Sequence, residues 1–404
     1  MPPVLTPMPA RALALLLLAA LLAACAERKP QPPPEPALVL QPASFADLPG
    51  WDGDDPTAAL GAFRTSCGPL LRLDPAKSMG GATGVAGKVG DWQPACRAAA
   101  AAALDPASAR AFFAATFQPY RATNRGDPDG LFTGYYEPLL QGSRTAGGAY
   151  RHPLLKRPGD LVSVDLGQFD PELQGRRIAG RVDQGKLVPY PDRAAIENGA
   201  LAGRQLELLW VDDPVEKFFM EIQGSGQIRL PDGSTLRVGY ADQNGRPYRA
   251  IGKDLVEQGA LPKDQVSMQA IRAWLVAHPD QAPAVMAKNP SYVFFRELPG
   301  LATASGPLGA QGVPLTPGRS LAIDRKFLPL GAPAWLDTTA PMAGGGEQPL
   351  RRLVVTQDTG GAIRGPVRGD LFWGSGPAAE TAAGYMKSKG RLYLLLPRQL
   401  TPAS

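Results

Sequence analysis

Two aspartates near the C-terminus frame the densest polar cluster of the sequence. Asp358 follows an apolar run at 353–356 and opens the stretch Asp358-Thr359-Gly360-Gly361-Ala362-Ile363-Arg364-Gly365. Asp370 lies twelve residues later, in Arg368-Gly369-Asp370-Leu371-Phe372-Trp373-Gly374. The glycines between them permit sharp turns, so two neighbouring strands or a looped hairpin can bring both carboxylates together. Carboxylates held close titrate apart, one ionised and one kept protonated. An acid still protonated at neutral pH can deliver a proton to a glycosidic oxygen, and Trp373 offers a flat face suited to a sugar ring. The alternative is a pair of turn aspartates that satisfy backbone amides.

Asp358-Thr359-Gly360 also matches the triplet of aspartic proteases, which need two such carboxylates sharing a proton. Asp370 has no Thr-Gly after it and no second triplet occurs, so that chemistry is disfavoured. Glu137, in Gly134-Tyr135-Tyr136-Glu137-Pro138, is a further acid. Its tyrosines either line a groove or end a strand as core aromatics. Gln223-Gly224-Ser225-Gly226 lacks the lysine and the strand–loop–helix setting of a phosphate loop, and no histidine is placed to activate Ser225. Only His152 and His278 occur, which removes most zinc-hydrolase and Ser-His-Asp layouts. His152 precedes Pro153 in a loop. His278 precedes Pro279 at a helix end, where it can bond the last carbonyls.

The elements that position these residues must be turn-rich. The 404 residues include 46 glycines and 43 prolines, close to twice the usual share. Both residues break helix interiors, so β structure with a few helices is expected rather than an all-helical bundle. A hydrophobic content of 44% excludes a wholly disordered chain, and the length predicts two domains. The formal charge is +5 and scattered, with no Lys/Arg run that would read as a nucleic-acid patch. A mildly basic surface suits a polyanionic polymer such as a cell wall.

Residues 98–103 are strong helix formers. Asp105-Pro106 reads as the cap and first residue of a second helix carrying Phe112, Phe113 and Phe117. Residues 130–136 read as a strand ending at Glu137-Pro138. The stretch 142–200 reads as loop-rich, with short strand candidates such as 186–190, and 206–211 as a buried strand. Asp213-Pro214 opens a helix with Val215, Phe218, Phe219 and Ile222 at helical spacing, stopped by Gly224. Strand 227–230 turns through Pro231-Asp232-Gly233 into 235–240, and Asn244-Gly245 turns that strand into 248–251. Residues 264–278 form an amphipathic helix with Met268, Ile271, Trp274 and Leu275 on one stripe, and a shorter helix ends before Asn289-Pro290. Strands are expected at 320–324, 334–337, 353–356 and 391–396, and a helix at 377–387.

The N-terminus reads as a targeting segment. Arg11 precedes a short apolar run that stops at Leu22-Ala23-Ala24-Cys25, too short for a membrane span. It resembles a bacterial lipobox, with 1–24 as a lipoprotein signal peptide and Cys25 as the acylated mature N-terminus. Ala26, rather than Asp, favours the outer membrane, facing the periplasm. Residues 25–50 then form a lipidated, proline-rich tether. Its 26–44 portion spans ~60 Å if extended. In an oxidising periplasm Cys67 and Cys96 are expected to pair as a disulfide.

Five motifs in order resemble the membrane-bound lytic murein transglycosylase A family. They are GYYEP at 134–138, EIQGSGQI at 221–228, SMQAIRAW at 267–274, NPSYVFF at 289–295 and QDTGGAIRG…RGD…WGSG at 357–376. The resemblance spans about residues 60–397. It implies a mainly β fold with some helices: a double-psi β-barrel from 51–141 and 300–398, a smaller β-rich domain inserted at 142–299, and a groove between them for a peptidoglycan glycan strand. It puts three acids at Asp324, Asp358 and Asp370, with Asp370 as the catalytic acid/base and Asp358 as its supporting neighbour. Tyr136, Glu137, Gln223, Ser225, Asp324, Trp373 and Gly374 are the implied substrate contacts. The implied reaction cleaves the MurNAc–GlcNAc β-1,4 bond without water. One aspartate protonates the bridging oxygen, then takes the proton of the sugar's own C6 hydroxyl as that attacks C1. The product is a 1,6-anhydromuramoyl end, and no metal or cofactor is required. The expected partners are the glycan strand and, through the lipid anchor, the outer membrane; the motifs name no protein partner. The alternative is a non-catalytic wall-binding or scaffold lipoprotein, against which the presence of all three acids counts.

Overall fold

The computed structural model describes residues 34–402 except 83, 174–175, 301–305 and 343–344. The expected signal segment, Cys25 and the tether up to residue 33 lie outside the described residues. Met1–Pro36 form one unit and Ala37–Ser404 a second, compact one. Every described helix and strand belongs to the second.

The chain begins with β1 (Leu38–Pro42) and three helices, α1 (Thr57–Arg72), α2 (Val89–Ala101) and α3 (Pro106–Thr116). The α1 segment contains Gly61, Gly68 and an internal Pro69, so its composition hides it. Burial of Leu60, Phe63, Cys67 and Leu70 along one side stabilises it instead. Asp105 caps α3 by accepting the Ser108 amide, with Pro106 in the first turn. Next come β2 (Phe117–Asn124) and β3 (Gly130–Glu137). Phe117 opens β2 rather than closing the preceding helix, because its ring completes an aromatic cluster with Phe63, Phe112 and Phe113.

After Pro138 the chain changes sheet. It builds β4 (Leu139–Ser143), β5 (His152–Leu155), β6 (Val162–Asp165), β7 (Arg177–Asp183), β8 (Lys186–Pro189) and β9 (Glu207–Val211). Then follow α4 (Pro214–Gln223), β10 (Ser225–Arg229), β11 (Thr235–Gln243), α5 (Ile251–Glu257), α6 (Met268–Ala277), α7 (Ala282–Met286) and β12 (Val293–Glu297). It finishes with β13 (Ser320–Ile323), β14 (Pro333–Pro341), β15 (Glu347–Asp358), β16 (Arg368–Ser375), α8 (Pro377–Tyr385) and β17 (Lys387–Pro397).

The first sheet runs β1-β2-β17-β14-β15-β13-β16-β3, and β17 also pairs with β3. Six strands (β3, β16, β13, β15, β14, β17) therefore close into a ring, extended by β2 and β1. Phe132, Leu321, Ile323, Leu353, Val355, Leu371 and Leu394 belong to its buried core, which continues under α1–α3. The middle of the chain forms a six-stranded sheet, β12-β11-β10-β4-β9-β5, and a three-stranded sheet, β6-β7-β8. The fold is thus mostly β, with helices on it.

Two sequence expectations fail for packing reasons. Asn244-Gly245 does not make a hairpin. Asn244 is buried, its amide nitrogen donates to the Pro191 and Pro290 carbonyls at 2.9 Å, and its oxygen accepts the Tyr292 amide. Residues 248–250 consequently form a loop, and Ile251 opens α5. Ile222 lies on the exposed side of α4, where Met220 takes the buried position. The loop-rich stretch 142–200 carries three further strands, β5, β6 and β7, beside the expected one, β8.

A disulfide joins Cys67 of α1 to Cys96 of α2 across 29 residues. Replacing both cysteines by alanine is expected to lower stability by about 3–4 kcal/mol through the freed unfolded chain. Urea titration of both proteins checks this, and coincident midpoints refute it.

Candidate active site

Strands β15, β13 and β16 lie side by side. Ala322 of β13 pairs with Asp358 on one side and with Asp370 on the other. The two carboxylates therefore share a sheet face but not neighbouring strands. They are two strand spacings apart, each about 4.8 Å, with a single methyl group between. The register makes this possible. Leu321 pairs with Thr356 and Ala322 with Asp358, so Gln357 is an extra, bulged residue. Without the bulge, Gln357 would face Ala322 and Asp358 would point to the other side.

β3 runs parallel to β16, with Thr133 opposite Asp370. Thr133 Oγ1 donates to Asp370 Oδ1 at 2.6 Å. Two residues on, Tyr135 donates its hydroxyl to Asp358 Oδ2 at 2.8 Å. Asp358 Oδ1 also accepts the amides of Ala310 at 2.8 Å and Thr359 at 2.9 Å. Both oxygens of Asp358 are thus occupied, whereas Asp370 Oδ2 accepts no hydrogen bond from the described residues. Arg368 donates to Thr133 Oγ1 at 2.8 Å and to the carbonyls of Leu131 and Gly369. It forms no direct ion pair with Asp370, and its charge still lowers the Asp370 pKa from nearby.

Desolvation dominates the electrostatics. Burial raises the pKa of Asp370, and Arg368 and the Thr133 hydroxyl pull it part of the way back. Burial pushes Asp358 up to about 6, against the Thr359 amide, the Tyr135 hydroxyl and the Ala310 amide, and the charge of Asp370 adds to the rise. Burial and the two carboxylates push the Tyr135 hydroxyl well above its ordinary value, so it stays a donor. Both aspartates nevertheless keep partly exposed side chains.

The floor beneath them is apolar, built from Tyr135, Leu315, Ala322, Ile363 and Phe372. Ile363 anchors the 359–367 loop into that floor. Thr359 Oγ1 donates to the Ile323 carbonyl at 2.9 Å, and Asp324 accepts the amides of Gly365 at 2.9 Å and Lys326 at 3.1 Å. Asp324 is buried and committed to backbone. It shapes the loop between the other two acids.

The remaining expected contacts divide in the same way. Glu137 is buried, with Arg237 Nε at 2.6 Å from one oxygen and Arg237 Nη2 and Gln227 Nε2 at 3.0 and 2.8 Å from the other. No oxygen remains for a glycan. Tyr136 is buried too; its hydroxyl accepts Arg272 Nη2 at 3.0 Å, and its amide donates to Gln223 Oε1 at 3.0 Å. The Gln223 Nε2 has no partner among the described residues. Ser225 is buried on β10. Trp373 is not an open platform, since its indole nitrogen approaches Met386 Sδ at 3.4 Å and its ring packs with Tyr136, Ala379 and Ala383. Gly374 has φ 99°, and a β-carbon there would lie 3.1 Å from Pro317. His278 bonds the Trp274 carbonyl at 2.7 Å, and His152 pairs with Val211 in β5. Neither bonds either aspartate.

Sequence reading missed Thr133, Arg368, Ala310 and Tyr248. Thr133 directly precedes GYYEP, and only the parallel β3–β16 register reveals its role. Tyr248, expected in a strand, lies in a loop against Gly361, where a β-carbon would sit 3.6 Å from its own. Burial and the charge of Asp370 raise the pKa of its hydroxyl. Among the described residues no cluster of His, Cys, Asp or Glu could hold a metal ion, and no helix is long and apolar enough to cross a membrane.

Residues 131–296 match the MltA specific insert domain and residues 319–396 the 3D domain. The chain is 34% identical over 279 residues to membrane-bound lytic murein transglycosylase A of Vibrio cholerae, spanning 67% of each chain. Its fold is similar to a membrane-bound lytic murein transglycosylase from Agrobacterium tumefaciens, with TM-score 0.77 and 37% identity over 89% of this chain and 98% of that one. It is also similar to Escherichia coli MltA with bound chitohexaose, with TM-score 0.61 and 26% identity over 91% and 93% of the two chains.

Two measurements check the electrostatics. Tyr135→Phe removes a donor to the ionised form, so the Asp358 carboxyl, followed by 13C NMR, is expected to titrate above its parent value of about 6. Separately, a pKa raised in the folded state makes Asp358 stabilising below its unfolded value, a contribution lost as pH rises through about 6. The Tm of Asp358→Asn relative to the parent is therefore expected to climb between pH 4 and pH 8. A flat difference contradicts it.

Proposed function

The chain belongs to the MltA family of lytic murein transglycosylases, and from that premise we propose its reaction: non-hydrolytic cleavage of the MurNAc–GlcNAc β-1,4 bond with Asp370 as acid and then base. The observation that carries the assignment is the difference between the two carboxylates. Asp358 has both oxygens engaged by three donors, whereas Asp370 is held by Thr133 alone. Only Asp370 retains an oxygen that can exchange a proton with a substrate.

Asp370 gives its proton to the bridging oxygen as the C1–O4 bond breaks, and GlcNAc leaves with a free 4-hydroxyl. The carboxylate so formed takes the proton of the muramoyl C6 hydroxyl while that oxygen bonds to C1. The proton count closes on one aspartate, and the nucleophile is already attached to the sugar, which supplies proximity without a bound water. Asp358 supports this by position and charge. The Gln223 amide and Tyr248 are the groups we assign to sugar binding.

The six-stranded ring is read as a double-psi barrel assembled from residues 51–141 and 300–398, with 142–299 inserted and a groove between for the glycan. Sheet membership supports that division, and the chitohexaose held by the Escherichia coli relative supports a glycan in the groove. The sequence at Leu22-Ala23-Ala24-Cys25 supports acylation of Cys25 and a place on the periplasmic face of the outer membrane.

Asp370→Asn is expected to lower release of anhydro-muropeptides from purified sacculi on the order of 10³-fold, as for loss of an acid–base group. Mass spectrometry of the products reads this. Anhydro ends at the parent rate would remove Asp370 from the mechanism, and reducing ends would make the enzyme a hydrolase.

A further inference from the structure

Two segments outside both family matches meet beneath the end of β15: helix α1 and the loop at 306–311. Ser66 of α1 is completely buried. Its Oγ donates to Gln311 Oε1 at 2.8 Å and accepts Gln357 Nε2 at 2.9 Å. The second hydrogen of the Gln357 amide goes to the Ala62 carbonyl at 3.0 Å, and its oxygen accepts Ser320 Oγ at 2.5 Å. Both amides are thereby fixed in orientation, since flipping the Gln357 amide would set donor against donor and acceptor against acceptor. Gln357 is the bulged residue that turns Asp358 towards Asp370. Gln311 follows Ala310, whose amide bonds Asp358, and the Gln311 amide itself donates to the Gln357 carbonyl at 3.1 Å. The loop that carries Ala310 is closed on itself only by an isolated bridge between Leu308 and Pro314 and a few backbone bonds, such as the Gly309 amide on the Val313 carbonyl at 3.0 Å.

We propose that Ser66 is a positioning residue for the acid site, pinning the β15 bulge through Gln357 and holding the Ala310 amide on Asp358 through Gln311. The adjacent Cys67–Cys96 disulfide fixes α1 to α2, so the fulcrum stands on a rigid base. The ionisable groups that face Asp358 are Tyr135 from β3 and Asp370 from β16; its other donors are the Thr359 and Ala310 amides. Weakening the Ala310 bond removes one of three donors that favour the ionised form, so Asp358 must then hold its proton to higher pH.

The inference rests on the proposed reaction only for its kinetic part. The test uses the full chain with Ser66→Ala and Gln311→Ala, and Ser66→Thr as the variant that keeps the hydroxyl. Asp358 is followed by 13C NMR titration, and kcat and KM are measured on soluble glycan strands. Both alanine variants are expected to shift the Asp358 titration upward by about one unit. They are expected to lower kcat roughly tenfold while KM changes by less than about twofold. Ser66→Thr restores both. An unshifted titration in folded Ser66→Ala and Gln311→Ala overturns the proposal, even if Tm and kcat fall, because Ser66 would then be merely structural. If Ser66→Ala does not fold, the partly exposed Gln311 decides the matter alone. A parent enzyme that releases no anhydro ends would sink the proposed reaction, and the NMR shift would still decide the role of Ser66.

Discussion

Removal of two carboxylates from water on one sheet face, with only the methyl of Ala322 between them, is the constraint to which the surrounding structure answers. Burial disfavours the charged form of each, and each charge disfavours the other. The fold supplies donors separately to the two. One strand does most of this, since Thr133 and Tyr135 stand two residues apart on β3 and reach Asp370 and Asp358 respectively. Arg368 is turned onto the threonine. A guanidinium paired directly with Asp370 would hold it ionised; without that direct pair, Arg368 stabilises the carboxylate less and leaves it able to carry a proton.

The same strand fastens the middle region of the chain to the ring. Immediately after Tyr135, Tyr136 and Glu137 bond Gln223, Gln227 and Arg237 of the six-stranded region. Arg272 of α6 adds a second tie. It pairs with Glu216 of α4 at 2.7 Å and with Glu380 of α8, bonds the Tyr136 hydroxyl and lies 4.9 Å from the Phe219 ring centre. The buried Glu137–Arg237 pair contributes little net stability, because desolvation offsets its attraction, but breaking it leaves a costly lone charge; the Arg272 pairs are partly exposed and screened by water. Their value here is geometric. They fix where β3 ends, and therefore where its two hydroxyls point.

The chemistry-bearing types were legible in the sequence, because two acids among glycines are visible without a fold. So were elements with strong local signals, such as the Asp-Pro caps of α3 and α4. What escaped depended on contacts between distant segments. Thr133 gains its role from a parallel register with residue 370, and Ala310 from a loop with no periodicity at all. Asn244-Gly245 carries a strong hairpin signal, but burial of the asparagine among three backbone partners overrides it. Trp373 has the right type for a sugar platform, yet the small residues of α8 leave a slot that its ring fills. Helix α1 fails by composition and forms by burial.

Burial raises the pKa of both aspartates, and in the proposed reaction it is access that distinguishes them. In the free protein burial pushes Asp358 up to about 6, with the charge of Asp370 among the causes, and burial raises Asp370 as well. A proton on Asp358, however, must sit on an oxygen that already faces a donor: Tyr135 on one side, two amides on the other. Such a carboxyl cannot aim its hydrogen outward without giving up a bond. Asp370 has one oxygen free of protein donors. In the proposed reaction a glycan covering that oxygen removes its remaining water and raises its affinity for a proton. Cover by the glycan thus favours, in that reaction, the protonated form of the carboxylate that can use it. The three donors on Asp358 favour its ionised form.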